Sequence, residues 1–418
     1  MAPEETPSLV IDALGLQGDG IARVDGAARF IPLALPGEQV RLDGEGNLAR
    51  VITASPERQS PPCPHFTVCG GCMSQHMAPG LYARWKADIV REAFVACGFA
   101  EPPMAPLVTC AQGSRRRAVL SARRARGHVA LGYHARRSHD LVDVTTCIVL
   151  DATIAHALPA LRRLVAALDV DEARLTVLAS RAGLEIAVAA DAKRLTPATA
   201  ASIGKLAAEA RWARVSVEGQ PIVTRAAPVL DMGGVTVTPP PGSFTQAVAE
   251  AEEAMRARVI SAVGNAKRVA DLFCGLGAFA FALSRTARVT AIDTDKPALA
   301  ALTAAWRHAQ GLKPIDVLPR DLFRDPLSPL ELKDFDAVVL DPPRAGAEAQ
   351  AKALAKSDIP VIAYVSCNPT TLARDARLLA DGGYVLEAVT PIDQFLYAAH
   401  VEAVAVLRRP GKRKRARA

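Results

Sequence analysis

Two short stretches place reactive side chains where a chain can use them. Val338-Val-Leu-Asp341-Pro342-Pro343-Arg344 ends an apolar run with a carboxylate and two rigid prolines. Tyr364-Val-Ser366-Cys367-Asn368-Pro369 ends a second such run with a thiol, just ahead of a helix-compatible segment. A thiol is a nucleophile once ionised, and a carboxylate at a strand end can hold or orient a ligand. A third stretch, Asp271-Leu-Phe273-Cys274-Gly275-Leu-Gly277-Ala-Phe279, has two glycines that let the backbone turn tightly before a helix start rich in free N–H donors. Ala291-Ile-Asp293 closes the next apolar run about twenty residues later, where a carboxylate can accept ribose hydroxyls. No third glycine follows at dinucleotide spacing, and no phosphate-binding lysine is present. A ligand without phosphates, such as S-adenosylmethionine, fits better than NAD or ATP.

A second set of thiols sits elsewhere. Cys63-x5-Cys69-x2-Cys72 lies on one Pro/Gly-rich loop, and Cys147 follows a strand far downstream. Four such thiols can surround a metal centre, and thiolates suit either an iron–sulfur cluster or zinc. Cys97, Cys110 and Cys274 read as packing residues. Eight arginines (Arg115, Arg116, Arg117, Arg123, Arg124, Arg126, Arg136 and Arg137) crowd one stretch, with His128, Tyr133 and His134 among them. Guanidinium and aromatic planes can stack on unpaired bases, so this stretch is either a solvated charged face or a contact for RNA.

These groups need elements to hold them. From Gln246 onward, β-rich runs at Val269–Phe273, Val289–Asp293, Ile315–Leu318, Phe335–Leu340 and Val361–Val365 alternate with helical segments such as Pro297–His308 and Thr371–Ala380. That rhythm predicts a parallel, doubly wound sheet whose strand ends carry the reactive groups on one rim. Arg116 to about Pro240 reads as α+β, and residues 8–54 as short glycine-punctuated strands of a compact β-barrel. The 418 residues are 50% hydrophobic and 22% charged, which excludes global disorder. No apolar run approaches the ~20 residues of a membrane-spanning helix. The acidic start does not resemble a secretory signal, so the expected setting is the cytoplasm, with reduced thiols and no membrane partner. The net charge of +7 is concentrated: the stretch 408–417 holds seven basic residues and no acid, and the remainder balances at 43 against 43.

Asp271–Phe279, Asp341–Gly346, Ser366–Thr370 and His400-Val-Glu402-Ala-Val404 together resemble the RNA (uracil-5-)-methyltransferases. The N-terminal strands, from Gly18-Asp-Gly-Ile-Ala-Arg23 to Leu35-Pro-Gly-Glu38-Gln-Val40, resemble a TRAM domain, an OB-like RNA-binding barrel. The resemblance implies three parts and a tail: a TRAM-like β-barrel over 1–56, a central α+β domain over 57–240, a Rossmann-like methyltransferase domain over 241–409 and a basic tail over 410–418. It implies Cys367 as nucleophile toward uracil carbon 6 and Glu402 as the base that removes the carbon-5 proton. It also implies S-adenosylmethionine contacts at Gln246, Phe273, Gly275, Asp293, Asp321 and Asp341. A [4Fe–4S] cluster on Cys63, Cys69, Cys72 and Cys147 follows from the same likeness, as do 23S ribosomal RNA as substrate and a monomeric enzyme. Transfer RNA as target, amino-group methylation or RNA binding without catalysis are the alternatives. Three positions depart from the family pattern: Val248 and Ala278 stand where Asn is usual, and Asp293 where Glu is usual.

Overall fold

The computed structural model describes residues 8–43, 45, 47–190 and 195–410; most of the basic tail, from 411 on, lies outside the described residues. Its largest sheet follows from the apolar runs of the second half. Ala337–Leu340 and Val361–Ser366 are buried at every position, as strands covered on both faces must be. The order across the sheet is Ile315–Pro319, Arg288–Asp293, Arg268–Leu272, Ala337–Leu340, Val361–Ser366, Glu402–Arg408, Val385–Asp393 and Val108–Thr109. The first five strands are mutually parallel, and Glu402–Arg408 runs antiparallel to both of its neighbours.

Two cores flank this sheet, which makes it doubly wound. One packs Met255 and Val259 of helix Ala249–Val263 and Leu299 and Leu302 of helix Lys296–His308 against Val269, Val289 and Val365. The other packs Leu354, Leu372 and Leu379 against Leu272, Leu340 and Ile362. Helix Pro79–Ala96 joins this second core from the far end of the chain. Its stripe of Leu81, Tyr82, Trp85, Ile89, Val90 and Phe94 recurs at helical spacing and needs an apolar face, which this sheet and its helices supply. Val108–Thr109 likewise extends that sheet at its edge. The N-terminal part of the central segment thus packs with this eight-stranded sheet.

The remaining strands form a seven-stranded sheet from Arg117 to Thr224, antiparallel except for the pairing of Gly183–Ala189 with Arg214–Val217. Helices Ala152–Leu168 and Pro197–Glu209 cover one of its faces. Between Leu9 and Thr53, two three-stranded antiparallel sheets enclose a small core of Ile11, Ala22, Ile31, Ala34, Val40 and Leu42. Among the described residues, no helix is long and apolar enough to cross a membrane.

Candidate active site

The carboxyl ends of the parallel strands open into one cavity of about 730 Å³. It is lined by all eight residues singled out for cofactor contact or catalysis: Gln246, Phe273, Gly275, Asp293, Asp321, Asp341, Cys367 and Glu402. The sheet sets the reactive pair. Ser366 pairs with Ala403 across the antiparallel seam, and one further step of that register places Cys367 opposite Glu402. Asn368 then caps helix Pro369–Asp381 by accepting from the Thr370 N–H. Its amide donates to the Arg344 carbonyl at 2.9 Å, and the Thr371 hydroxyl donates to the same oxygen at 3.3 Å. The Asp341–Arg344 turn and the Cys367 turn are therefore tied together.

The glycine turn is held as tightly. Phe273 adopts a left-handed φ of 63°, a strained setting for an aromatic residue that the turn imposes at the cavity floor. At Gly277 (φ 91°) a Cβ would come within 2.8 Å of Phe281. Asp293 accepts the Gly275 N–H at 2.9 Å on one oxygen and the Asp295 N–H at 2.9 Å on the other, so it shapes the turn as well as facing the cavity. The other departures have local accounts. Val248 is buried in the core at the start of helix Ala249–Val263, and the Ala278 carbonyl accepts from Arg256 at 3.0 Å. Arg256 shares Glu252 with Arg116, whose Nε donates to the Gln246 carbonyl at 3.2 Å. This buried cluster braces both sides of the cavity.

Electrostatics on the rim favour neutral acids. Burial pushes the Glu402 carboxyl up to about 7, against the stabilising bond from Gln394. Burial raises Asp341 well above the carboxylate range, with Glu402 and Asp271 adding to it. Asp271, at the floor, is pushed up to about 8 by burial and then by Asp293. Burial lifts the Cys367 thiol to about 11; Glu402 and Asp341 reinforce the rise and Arg344 opposes it.

Several groups lining the cavity or buried behind it have little or no local signal in the sequence. Phe323 packs on Phe273 with ring centroids 5.4 Å apart, and Asp321 orients it by accepting the Phe323 N–H at 3.0 Å. Arg117 lies over the exposed Phe244 ring at 5.4 Å, at the cavity wall. Gln394, fully buried, links Gln246 to Glu402. A lone aromatic in a polar loop is the only local signal for Phe323, and none marks Gln394.

The other four thiols line a second cavity of about 320 Å³ with Tyr133, Phe395 and His400. Phe395 and His400 line both cavities. The Gly71 N–H donates to Cys69 Sγ at 3.4 Å, and the backbone N–H groups of Val149 and Leu150 donate to Cys147. Burial pushes Cys72 up to about 12, reinforced by Cys147, Cys69 and Cys63. Among the described residues, no group of three or more His, Cys, Asp or Glu is drawn together tightly enough to hold a single metal ion.

The arginine-rich stretch differs from a free basic face. Arg116 pairs with Glu252 at 2.6 Å, Arg123 with Glu172 at 2.9 Å and Arg124 with Asp169 at 2.6 Å. Arg136 and Arg137 both engage the buried Asp19. These acids come from distant segments, which a local count of charges cannot see. Tyr133 packs against the central core instead of presenting its ring, while His128 pairs with Asp143 and His134 with Ser121. At the start of the basic tail, Arg408 pairs with Glu387 and Arg409 stacks on Tyr384.

The sequence profile of the tRNA (uracil-5-)-methyltransferase family matches residues 319–410, and one described as conserved hypothetical protein 95 matches residues 251–359. An uncharacterized RNA methyltransferase of Rhizobium meliloti is 45% identical over 413 residues, covering 96% of this chain and 99% of its own. The 23S rRNA (uracil(1939)-C(5))-methyltransferase RlmD of Alkalilimnicola ehrlichii is 34% identical over 435 residues, 97% of each chain. Among solved structures, the tRNA (uracil-54, C5)-methyltransferase of Pyrococcus abyssi in complex with S-adenosyl-L-homocysteine has the same fold. It superposes with a TM-score of 0.73 at 21% identity, covering 96% of this chain and 99% of that one.

Proposed function

The chain belongs to the RNA (uracil-5-)-methyltransferase family, and from that premise we propose that it methylates carbon 5 of a uridine in 23S ribosomal RNA, using Cys367 and Glu402. The observation that carries this reading is that Cys367 and Glu402, each next to the Ser366–Ala403 pair at one end of two bonded strands, line the same nucleoside-sized cavity. Carbon 5 of uracil is a weak nucleophile until carbon 6 carries an added group. Cys367 loses its proton to solvent, and Sγ bonds to carbon 6 as the C5–C6 π pair moves toward O4. S-Adenosylmethionine, when bound, supplies the electrophilic methyl group that carbon 5 takes up. Glu402 then removes the carbon-5 proton; that electron pair restores the C5–C6 double bond, and the C6–S pair returns to sulfur. A carboxyl tuned to about 7 suits that step at neutral pH.

Gln246, Phe273, Gly275, Asp293, Asp321 and Asp341 would hold the methyl donor. Asp293 would accept from its ribose hydroxyls, and the Phe273–Phe323 pair would offer an apolar wall for its base. Cys63, Cys69, Cys72 and Cys147 would hold a [4Fe–4S] cluster. Four thiols around one cavity, with backbone N–H groups aimed at two of the sulfurs, suit a multi-atom cluster. Its role would be structural, tying the Cys63–Cys72 loop to the central domain through Cys147. The decisive test is 5-methyluridine mapping in ribosomal and transfer RNA from cells with and without the protein. Loss at one 23S position supports the reading, loss confined to transfer RNA moves the target, and no loss in either removes it.

A further inference from the structure

Gln394 stands immediately after the strand Val385–Asp393, whose Ile392 pairs with Glu402. Its side chain is buried, and all its polar positions are used. The carbonyl oxygen accepts the Ala247 N–H at 3.1 Å. Because that partner can only donate, the amide orientation is fixed, and the Nε2 group must face the other way. There it donates to Gln246 Oε1 at 2.8 Å and to Glu402 Oε1 at 2.7 Å. Gln246 is oriented in turn, and its Nε2 reaches Asp341 Oδ2 at 3.3 Å. The result is a continuous run of amide donors from the cofactor side of the cavity to Glu402.

The backbone around Gln394 is clamped from behind. Lys86, wholly buried on helix Pro79–Ala96, pairs with Asp393 at 2.7 Å. Its ammonium also donates to the carbonyls of Phe395 at 3.0 Å and His400 at 2.7 Å. The Tyr82 hydroxyl takes the other Asp393 oxygen and accepts the Tyr397 N–H at 2.9 Å. Gln394 is therefore held between a fixed strand end and a fixed loop, with no room to release its partners.

We infer that Gln394 is the positioning residue of the proton-abstraction step: it fixes Glu402 through Oε1, leaves Oε2 for the carbon-5 proton, and stabilises the charged carboxylate. The inference rests on the reading of Glu402 as base. Among the described residues, Gln394 is the one side chain that donates to this carboxylate. Without it, Glu402 is a buried anion with no donor, and its affinity for protons rises. Six other titratable groups surround the base. Asp341 and Cys367 face it on neighbouring strand ends, Arg344 and His400 lie along the rim, and Lys86 and Asp393 form the pair behind the clamp. A change at Gln394 leaves all six in place, so a shifted profile reports on the lost donor.

The test uses single-turnover reactions of the full-length protein with its substrate RNA, timing separately the appearance and the breakdown of the covalent RNA–protein adduct from pH 6 to 9. In Gln394→Met, at saturating S-adenosylmethionine to offset a loosened Gln246, adduct formation should slow far less than breakdown, which should follow a pH limb moved up by about one to two units. At pH 7 that is roughly a five- to fiftyfold slowing of breakdown. Gln394→Glu, which keeps the size and the acceptor but adds a like charge, should move the same limb in the same direction. In the Glu402→Gln background, Gln394→Met should add nothing to the breakdown defect. Equal slowing of both phases, an unmoved limb in whichever variant folds, or an additive double variant would overturn the inference. A wild-type protein that forms neither adduct nor 5-methyluridine would instead overturn the reading of the site.

Discussion

The catalytic rim and the thiol cavity are neighbours that share Phe395 and His400, yet they are built by opposite means. Each reactive group of the rim sits at the end of a strand whose register is fixed by pairing on both sides, so Cys367, Asp341 and Glu402 converge without any ligand. The thiol cavity takes three of its sulfurs from a loop of turns and the fourth from a segment 75 or more residues away. Its thiols raise one another's pKa, and an isolated bridge from Cys69 to Ala135 ties their loop to the central sheet at the end of strand His128–His134. A site made by register is preorganised, whereas a site made by loops depends on what binds there.

Removing chemistry from the rim should therefore have the largest effect with the least structural damage. Cys367→Ala is expected to lower methyl transfer by about 10⁴-fold or more while leaving the melting temperature within a degree or two. RNA carrying 5-fluorouridine should trap the wild-type protein in a denaturation-resistant complex and fail to trap this variant. A variant that unfolds would show that the thiol supports the rim instead of using it.

Glu402→Gln comes next, with turnover expected to fall by about 10²–10⁴-fold. Bond formation and methyl transfer precede the step it blocks, so a methylated adduct should accumulate on ordinary uridine RNA. In the wild type, turnover should rise with pH through about 7, because the carboxyl must lose its proton to act. If the glutamine variant turns over slowly without accumulating adduct, Glu402 orients uracil and is not the base.

The same contrast explains what could be read from the chain alone. Cys367, Asp341 and Asp293 announce themselves because each closes a continuous apolar strand, a pattern that is local in sequence. Glu402 entered only through family likeness: its burial comes from an antiparallel strand inserted between Val361–Ser366 and Val385–Asp393, a pairing no local pattern discloses. Gln394 was invisible because its partner Gln246 lies 148 residues away. Helix Pro79–Ala96 was recognisable as a helix, but nothing in its own residues says that it covers a sheet beginning at Arg268. In the arginine stretch the partners Asp19, Glu172 and Glu252 lie outside the window, so a local count of charges overstates its free positive charge.

In the thiol cavity the pattern of loss should invert. Cys147→Ser is expected to reduce iron from about four atoms per chain and to lower the melting temperature by several degrees. The residual folded protein should perform single-turnover methyl transfer within about tenfold of wild type, because the rim is positioned by strands the cluster does not touch. Stoichiometric zinc with no iron would change the identity of the metal. Loss of transfer as deep as that of Cys367→Ala, in protein that still melts cooperatively, would show that Phe395 and His400 carry the cavity's state into the rim.

The smallest expected effect is on stability against pH, and it separates the two regions by sign. Glu402 and Asp271 have folded-state pKa values raised to about 7 and about 8, well above those of an unfolded chain. Between roughly pH 4 and 8 the folded rim therefore binds more protons than the unfolded one, so stability is greatest at the acid end of that window and falls as pH rises through 7 to 8. Thiolates holding the proposed cluster would have lost their protons in the folded state, and unfolding would return protons to them below about pH 8; their contribution would grow as pH rises over the same window. The opposing slopes can be resolved by melting curves from pH 5.5 to 8.5. Glu402→Gln and Asp271→Asn should each flatten the decline by a few degrees, whereas Cys147→Ser should steepen it by removing the rising component. A wild-type profile whose slope is unchanged by either carboxamide would mean that the rim holds its acids ionised, and the tuned base would lose its support.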